Sequence, residues 1–144
     1  MGMYTELNIE VAIKVDKATL ALLENMVGES DNEVTLPKHP LFKSDAGRWE
    51  YMLRCDSFYF DHIADSSLTN KTPWYKEDEE TNTYKRILNV RCDLKDYDDE
   101  IKHFLEWIYP FTETKGFIGY SRYEEDENPT LIYFTDTGVV YMGV

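Results

Sequence analysis

The sequence lacks every short motif that would identify a chemistry. It contains no GxSxG elbow, P-loop, GxGxxG or HExxH, so no nucleophile, phosphate cradle or zinc-binding helix can be recognised. Its two cysteines, Cys55 and Cys92, form no disulfide framework and have no metal-ligand spacing. The three histidines, His39, His62 and His103, stand far apart. We therefore expect no metal, cofactor or catalytic residue, and a non-enzymatic protein is favoured over an enzyme without a motif.

A long apolar run, a Lys/Arg-led signal segment and a lipidation motif are also missing, which predicts a cytoplasmic protein. Basic residues are few. Lys and Arg number 15 against 28 Asp and Glu, giving a net charge of −13. Affinity for nucleic-acid backbones and anionic membranes depends on Lys and Arg, so we expect neither as a direct partner. The length of 144 residues predicts one domain over 1–144.

Apolar residues recur with clear strand-like and helix-like periods in several segments. Alternating apolar residues predict strands at Thr5–Lys14 and Tyr84–Leu94, and a helical stripe follows each of them. Asp16 is expected to cap the first helix and Gly28 to end it, while Pro110 ends the second. Further strands are predicted at Trp49–Cys55, Gly116–Glu124, Thr130–Thr135 and Val139–Met142. The connections over 28–48 and 61–83 show no sustained period.

This order predicts an α+β fold. We expect an antiparallel β-sheet with two helices packed on one face, as a ferredoxin-like or split βαβ variant with an extra C-terminal hairpin. One core is expected to contain Leu7, Ile9, Val11, Leu23, Leu88, Val90, Leu94, Ile101, Phe104, Leu105 and Ile108.

Acidic residues concentrate in the second part of the chain. Residues 56–144 contain nineteen acidic and nine basic residues, a net −10, against −3 for residues 1–55. Three acidic runs flank predicted elements, and carboxylates at fixed positions could steer a basic protein partner or imitate DNA phosphates. The candidate partner-binding residues are Glu77, Asp78, Glu79, Glu80, Asp98, Asp99, Glu100, Glu124, Glu125, Asp126 and Glu127. The alternative is that the acidity serves only solubility.

A second hypothesis concerns arginines beside aromatic rings, which can bind an anion or a nucleotide through bidentate hydrogen bonds and stacking. Leu53-Arg54-Cys55-Asp56 echoes Val90-Arg91-Cys92-Asp93, and if these strands were neighbours both arginines would share the polar side of the sheet. Chance is the other explanation of the echo. The candidate ligand-binding residues are Arg54, Arg91, Tyr120, Arg122 and Tyr123. The alternatives are cross-strand Arg–Glu pairs or a face buried in a homodimer.

Four segments resemble a known family. They are LFK (41–43), RWE (48–50), LKDYDDEIKHFLEWIYPF (94–111) and GYSRYEEDENPTLIYF (119–134). Together they resemble a family of small uncharacterised proteins from bacteria and their phages. The resemblance implies a phage or prophage setting, and it implies no activity and no catalytic or binding residue.

Overall fold

The computed structural model describes residues 4–43, 48–54, 66–69, 79–96 and 98–143. Within these ranges the chain forms a mixed α+β fold of six strands and two α-helices, which confirms the predicted class. The elements are β1 (Thr5–Val15), α1 (Lys17–Met26), β2 (Ser67–Thr69), β3 (Tyr84–Leu94), α2 (Glu100–Ile108), β4 (Gly116–Tyr123), β5 (Thr130–Thr135) and β6 (Gly138–Gly143).

The strands form one antiparallel sheet in the order β2-β3-β1-β4-β5-β6. β1 pairs with β3 along its whole length, from Thr5 opposite Leu94 to Val15 opposite Tyr84. On its other side, β1 pairs with β4 over its first five residues. β4, β5 and β6 then follow as a meander. Strands that are distant in sequence therefore form the centre of the sheet, and the C-terminal hairpin forms one edge.

The first helix begins and ends where its sequence predicts. Asp16 is extended, and its carboxylate accepts a 2.7 Å hydrogen bond from the backbone N–H of Thr19. This satisfies a helix-start donor that has no partner within the helix. After the last turn Gly28 adopts φ 84°, a conformation that L side chains rarely adopt, and its N–H donates to the carbonyl of Asn25.

The second helix presents the predicted apolar stripe, but the residue that directly precedes it does not cap it. Asp99 precedes it with φ 55° and makes no side-chain cap bond. The carboxylate of Asp96 instead accepts from the N–H of Ile101 at 3.1 Å. A 3₁₀ turn at Tyr109–Phe111, which contains Pro110, follows α2 directly. The buried apolar residues of α2 are Ile101, Phe104, Leu105, Trp107 and Ile108.

Both helices contribute to a single core on one side of the sheet, while the other side (the open face) carries no helix within the described ranges. The alternation of β1 and β3 produces this, because every second residue is buried from Leu7 to Val15 in β1 and from Leu88 to Leu94 in β3. All of the residues that the sequence assigned to one core belong to it. No helix in the described part of the chain is long and apolar enough to span a membrane.

The predicted strand at Trp49–Cys55 is wrong over the residues that the structure describes. Arg48–Glu50 form a 3₁₀ helix and 51–54 form turns, while Cys55 lies outside the described residues. Met52 and Leu53 are neighbours and both are buried, which an alternating strand does not allow. The ring of Trp49 packs edge-on against Phe42 at 5.0 Å, and Phe42 packs against Trp107 of α2 at 5.1 Å. The apolar side chains therefore serve helix packing.

The missing strand is replaced at this edge by β2. It has only three residues, which pair with β3 opposite Asn89, Leu88 and Ile87. Its sequence, Ser-Leu-Thr, is too short for a period of two to be recognised, so the pattern gave no signal for it. The sequence also suggests a pairing of Trp74–Lys76 with Tyr84–Ile87, but Trp74–Lys76 lies outside the described residues.

Candidate functional site

Two of the three acidic runs meet at one end of the sheet. Thr5, at the start of β1, lies opposite Leu94 at the end of β3 and Tyr123 at the end of β4. The segment into α2 and the β4–β5 turn both leave the sheet at this level, and the N–H of Glu124 donates to the carbonyl of Tyr4 at 3.0 Å. We call this region the acidic end. Its carboxylate residues are Asp93, Asp98, Asp99, Glu124, Glu125, Asp126 and Glu127.

The acidic end is built on folded backbone. In the β4–β5 turn the N–H of Asp126 donates to the carbonyl of Tyr123 at 2.9 Å. At the start of α2 the N–H of Asp98 donates to Oε2 of Glu100 at 3.0 Å. Asp98, Asp99 and the residues from 124 to 127 are exposed. The carboxylates therefore face water from positions that the sheet and the helix fix, as electrostatic steering requires.

Glu100 does not belong to this surface, which corrects its assignment as a partner-binding residue. Only 1% of Glu100 is exposed, and its carboxylate accepts a hydrogen bond from the N–H of Asp98. Asp96 lies beside it, half-buried. Burial raises the pKa of Asp96 to about 6, and the Glu100 carboxylate adds to the rise while the hydrogen bond from Ile101 opposes it. The pair supports the start of α2 rather than a docking surface.

The described part of the third acidic run, Glu79 and Glu80, does not join the acidic end. Glu77 and Asp78 lie outside the described residues. Glu79 and Glu80 are exposed in the turn before β3, at the opposite end of the sheet, where Val15 pairs with Tyr84. Among the described residues of the three runs, those of the α2 start and the β4–β5 turn can therefore act together, whereas Glu79 and Glu80 lie apart from them.

On the open face the structure brings together Arg91, Tyr120 and Arg122, and it places a carboxylate among them. Asn8 lies opposite both Arg91 and Tyr120, and Glu6 lies opposite Arg122. The hydroxyl of Tyr120 donates to Oε1 of Glu6 at 2.8 Å, and this bond, followed by burial, raises the pKa of Tyr120. The Tyr120 hydroxyl that an anion would need therefore already donates to Glu6, a residue that was not among the sequence-predicted candidates.

Two of the predicted ligand-binding residues lie elsewhere. Tyr123 pairs with Thr5, so it projects to the helix-bearing side of the sheet and away from Tyr120. Arg54 lies in the turn that follows the 3₁₀ helix at Arg48–Glu50, with its guanidinium 4.9 Å from the ring centre of Tyr51. The expected shared face of Arg54 and Arg91 therefore does not form. Met52, in the same turn, is buried in the core.

Arg54 instead lines a cavity of about 630 Å³ at the C-terminal end of α1. Carboxylates outnumber cations among its lining residues, and Glu29, Asp31 and Glu50 all contribute. Asn25 and Asn32 also line it. The side-chain amide of Asn25 donates to the backbone carbonyl of Asn32, and its Oδ1 accepts from the backbone N–H of Asn32. Sequence reasoning missed this cavity because it forms where α1 meets a turn that was predicted to be a strand.

The remaining candidates for chemistry are the cysteines and the histidines. Cys92 is buried at 2% exposure, as its position on β3 predicted, and Cys55 lies outside the described residues. His39 comes within electrostatic reach of His103, and burial followed by this neighbour lowers the pKa of His39. Over the described ranges no group of three His, Cys, Asp or Glu residues could hold a metal ion. His62 lies outside those ranges.

Comparison with known proteins adds no identification. No family model matches the chain, and no curated protein or solved structure shows significant similarity to it. The resemblance to small phage and bacterial proteins therefore stays a prediction.

Proposed function

We propose that this chain is a non-enzymatic binding protein that engages a basic protein partner through the acidic end. The supporting observation is the convergence of the α2 start and the β4–β5 turn, which are separate in sequence, on one end of the sheet. Six exposed carboxylate residues and the half-buried Asp93 then lie at the same end of the sheet. Since the chain as a whole carries −13, its field adds to the attraction of a basic partner.

The physics of such a surface sets the expected behaviour. Fixed carboxylates accelerate the encounter with a basic surface more than they strengthen the final complex. Salt weakens the attraction, since the Debye length is about 8 Å at physiological ionic strength. A partner that normally holds nucleic-acid phosphates in a basic groove is the class that this surface fits best. A phage or prophage setting is consistent with that role.

The finer fold assignment is also part of this proposal. The order β1-α1-β2-β3-α2-β4 along the chain, with β2-β3-β1-β4 across the sheet, supports a ferredoxin-like arrangement to which the β5–β6 hairpin is added. Such folds carry many unrelated functions, so the assignment supports no activity by itself.

The test is charge neutralisation at matched positions. Glu124, Glu125 and Glu127 are changed to Gln in one variant. Glu33, Glu79 and Glu80 are changed to Gln in the control, which loses the same charge from exposed sites elsewhere. Partners are captured from host lysate, and the association rate of a captured basic protein is then measured with each variant at low and raised salt.

We expect the acidic-end variant to associate about tenfold or more slowly than wild type at low salt. The control should stay close to wild type. A captured set that neither variant nor salt changes would show that the acidic end is only a solubility coat. Equal slowing in both variants would show that net charge acts without a defined surface.

A second candidate function is small-ligand binding in the Arg54 cavity, whose volume falls in the range of about 300–1,000 Å³ that ligand sites occupy. Among the described lining residues are Glu29, Asp31 and Glu50 with one arginine, and the C-terminal end of α1 adds partial negative charge. These charges favour a ligand with an amine over a nucleotide or another anion.

This candidate is tested by thermal shift with free amino acids, polyamines and nucleotides. An amine should raise the melting temperature of wild type and should do so less in Asp31→Asn and Glu50→Gln. Glu33→Gln, an exposed acid that is not among the lining residues, is the matched control. Stabilisation by nucleotides alone would reverse the assigned charge preference.

A further inference from the structure

The C-terminal hairpin differs in composition from the rest of this acidic chain. From Thr130 to Gly143 the only Asp, Glu, Lys or Arg residue is Asp136, whereas 30% of the whole chain is charged. The strand at its outer edge is also exposed. Val140 and Met142 are 40% and 52% exposed, and Tyr141, which points to the other side, is 39% exposed. Depletion of charge together with aromatic residues and Met is typical of the centre of a protein interface.

On the open face, apolar side chains run in two rows to this edge. In one row Phe117 lies opposite Tyr133, their ring centres 5.5 Å apart, and Tyr133 lies opposite Val140. In the other row Tyr120 lies opposite Leu131, which lies opposite Met142. Both rows end at the outer side of β6. The apolar surface is therefore continuous with the strand edge and is not confined to one side chain.

The two edges of the sheet are protected very differently. Among the described residues β2 has only three, and short edge strands resist pairing with another chain. β6 has six residues and contains no Lys, Glu, Asp or Pro, and no described strand pairs with its outer side. Its outward N–H and C=O groups form a row that a strand is best suited to satisfy.

We propose that β6 is the dimer interface of this protein, pairing antiparallel with β6 of a second copy about a two-fold axis at Val140. An axis normal to the sheet keeps both pairs of helices on the same side and joins the two sheets edge to edge. Val140 then meets its counterpart on the open face, and Val139 of each copy lies opposite Tyr141 of the other on the helix-bearing side.

Three observations favour a second copy over other occupants. A basic partner is drawn to the acidic end, not to a hairpin with one charge. Apolar residues lie on both sides of β6, so a contact on the open face alone would leave Tyr141 uncovered. Finally, a two-fold pairing uses the same edge of β6 in both copies, so association closes at two copies and does not form a fibre.

The test is the sedimentation of the full chain and of single variants over a range of concentrations, with circular dichroism to confirm folding. Wild type should be dimeric. Val140→Lys and Val140→Glu should each be monomeric, since like charges meet near the axis. An equimolar mixture of the two should dimerise again, because each Lys then faces a Glu.

Two controls separate the edge from other surfaces. Leu36→Lys replaces an apolar residue of similar exposure that lies outside the sheet, and Phe117→Lys replaces one on the open face away from the edge. Both should remain dimeric. A wild type that is monomeric at every concentration would overturn the proposal. So would a monomeric Phe117→Lys beside a dimeric Val140→Lys, which would place the contact on the open face.

Discussion

At the scale of single residues, Asp96 connects the acidic end to the core. Its Oδ1 accepts from the N–H of Ile101 in the first turn of α2, while its carboxyl group lies half-buried beside Glu100. The protonated form is favoured there, because burial and the neighbouring carboxylate both raise its pKa, to about 6 from 3.8. The folded state therefore binds this proton more tightly than the unfolded state does.

The stability of wild type should accordingly fall as pH rises from about 4 to about 6, and this loss persists at higher pH. Asp96→Asn keeps the acceptor for Ile101 and removes the titration. We expect this variant to be more stable than wild type at pH 7 by about 1–2 kcal/mol, after allowance for solvent screening. The gain should vanish below pH 4. Urea unfolding over this pH range checks it, with Asp98→Asn as the exposed control; an equal gain at every pH would exclude the titration of Asp96 as its cause.

Gly119 shows a second constraint at this scale. It has φ 150°, lies at the β-bulge of β4 and faces Ile9. A Cβ added there would lie 1.9 Å from the carbonyl oxygen of Asn8, so the close approach of β4 to β1 requires glycine. The pairing that brings Tyr120 and Arg122 beside Glu6 depends on this approach.

Gly119→Ala should therefore destabilise the fold by about 3 kcal/mol or more, from backbone strain and overlap with β1 together. Gly138→Ala is the matched control, because Gly138 has φ 149° and no atom within 4 Å of an added Cβ. Denaturant melts measure the loss of stability in each variant, and the difference between the two losses gives the cost of the overlap with β1. Equal losses would mean that strain alone decides the effect.

At the scale of elements, α2 organises the core. Phe104 is fully buried on its sheet-facing side, and Trp107 meets Phe42 from the 3₁₀ helix at Pro40–Lys43. The connection over 28–48 therefore contains a short element that anchors to α2. Local periods could not predict this anchoring, because it depends on aromatic contacts between distant segments.

Phe104→Ala should cost about 3–5 kcal/mol, since it empties a core aromatic site. Glu106→Ala, on the exposed side of the same helix, should change stability by about 0.5 kcal/mol or less. Chemical denaturation measures both. A loss below about 1 kcal/mol for Phe104→Ala would contradict the packing of this helix described above.

At the scale of the whole molecule, electrostatics should favour binding of a basic partner and oppose dimerisation. The acidic end attracts a basic partner, whereas two copies that each carry −13 repel one another while their hairpins associate through apolar contacts. Salt screens both effects. The two associations should therefore respond to salt with opposite sign.

We expect raised salt to tighten the dimer and to weaken binding of a basic partner, each measured on wild type by sedimentation and by binding kinetics. Glu124, Glu125 and Glu127 changed together to Gln should tighten the dimer at low salt and leave it unchanged at high salt. Dimerisation that weakens with salt would show that ion pairs, and not apolar contacts, hold the two copies together.

The sequence alone determined the strongest periodic elements and the composition of the core. Apolar residues recur every two positions in β1 and β3 and every three or four positions in α2. These periods follow directly from which residues must be buried. The cap at Asp16 and the stop at Gly28 were also local, because each depends on a few neighbouring backbone groups. These features needed no knowledge of distant contacts.

Only the tertiary structure decided which side chains share a surface. The register of β1 against β3 and β4 brought the α2 start to the β4–β5 turn and placed Glu6 beside Tyr120. The turn at 51–54 carried Arg54 to the end of α1, away from Arg91. Spacing along a chain limits how far apart residues can be, but only strand order and packing bring distant residues together. For this reason the sequence predicted the core well and assembled its candidate sites only in part.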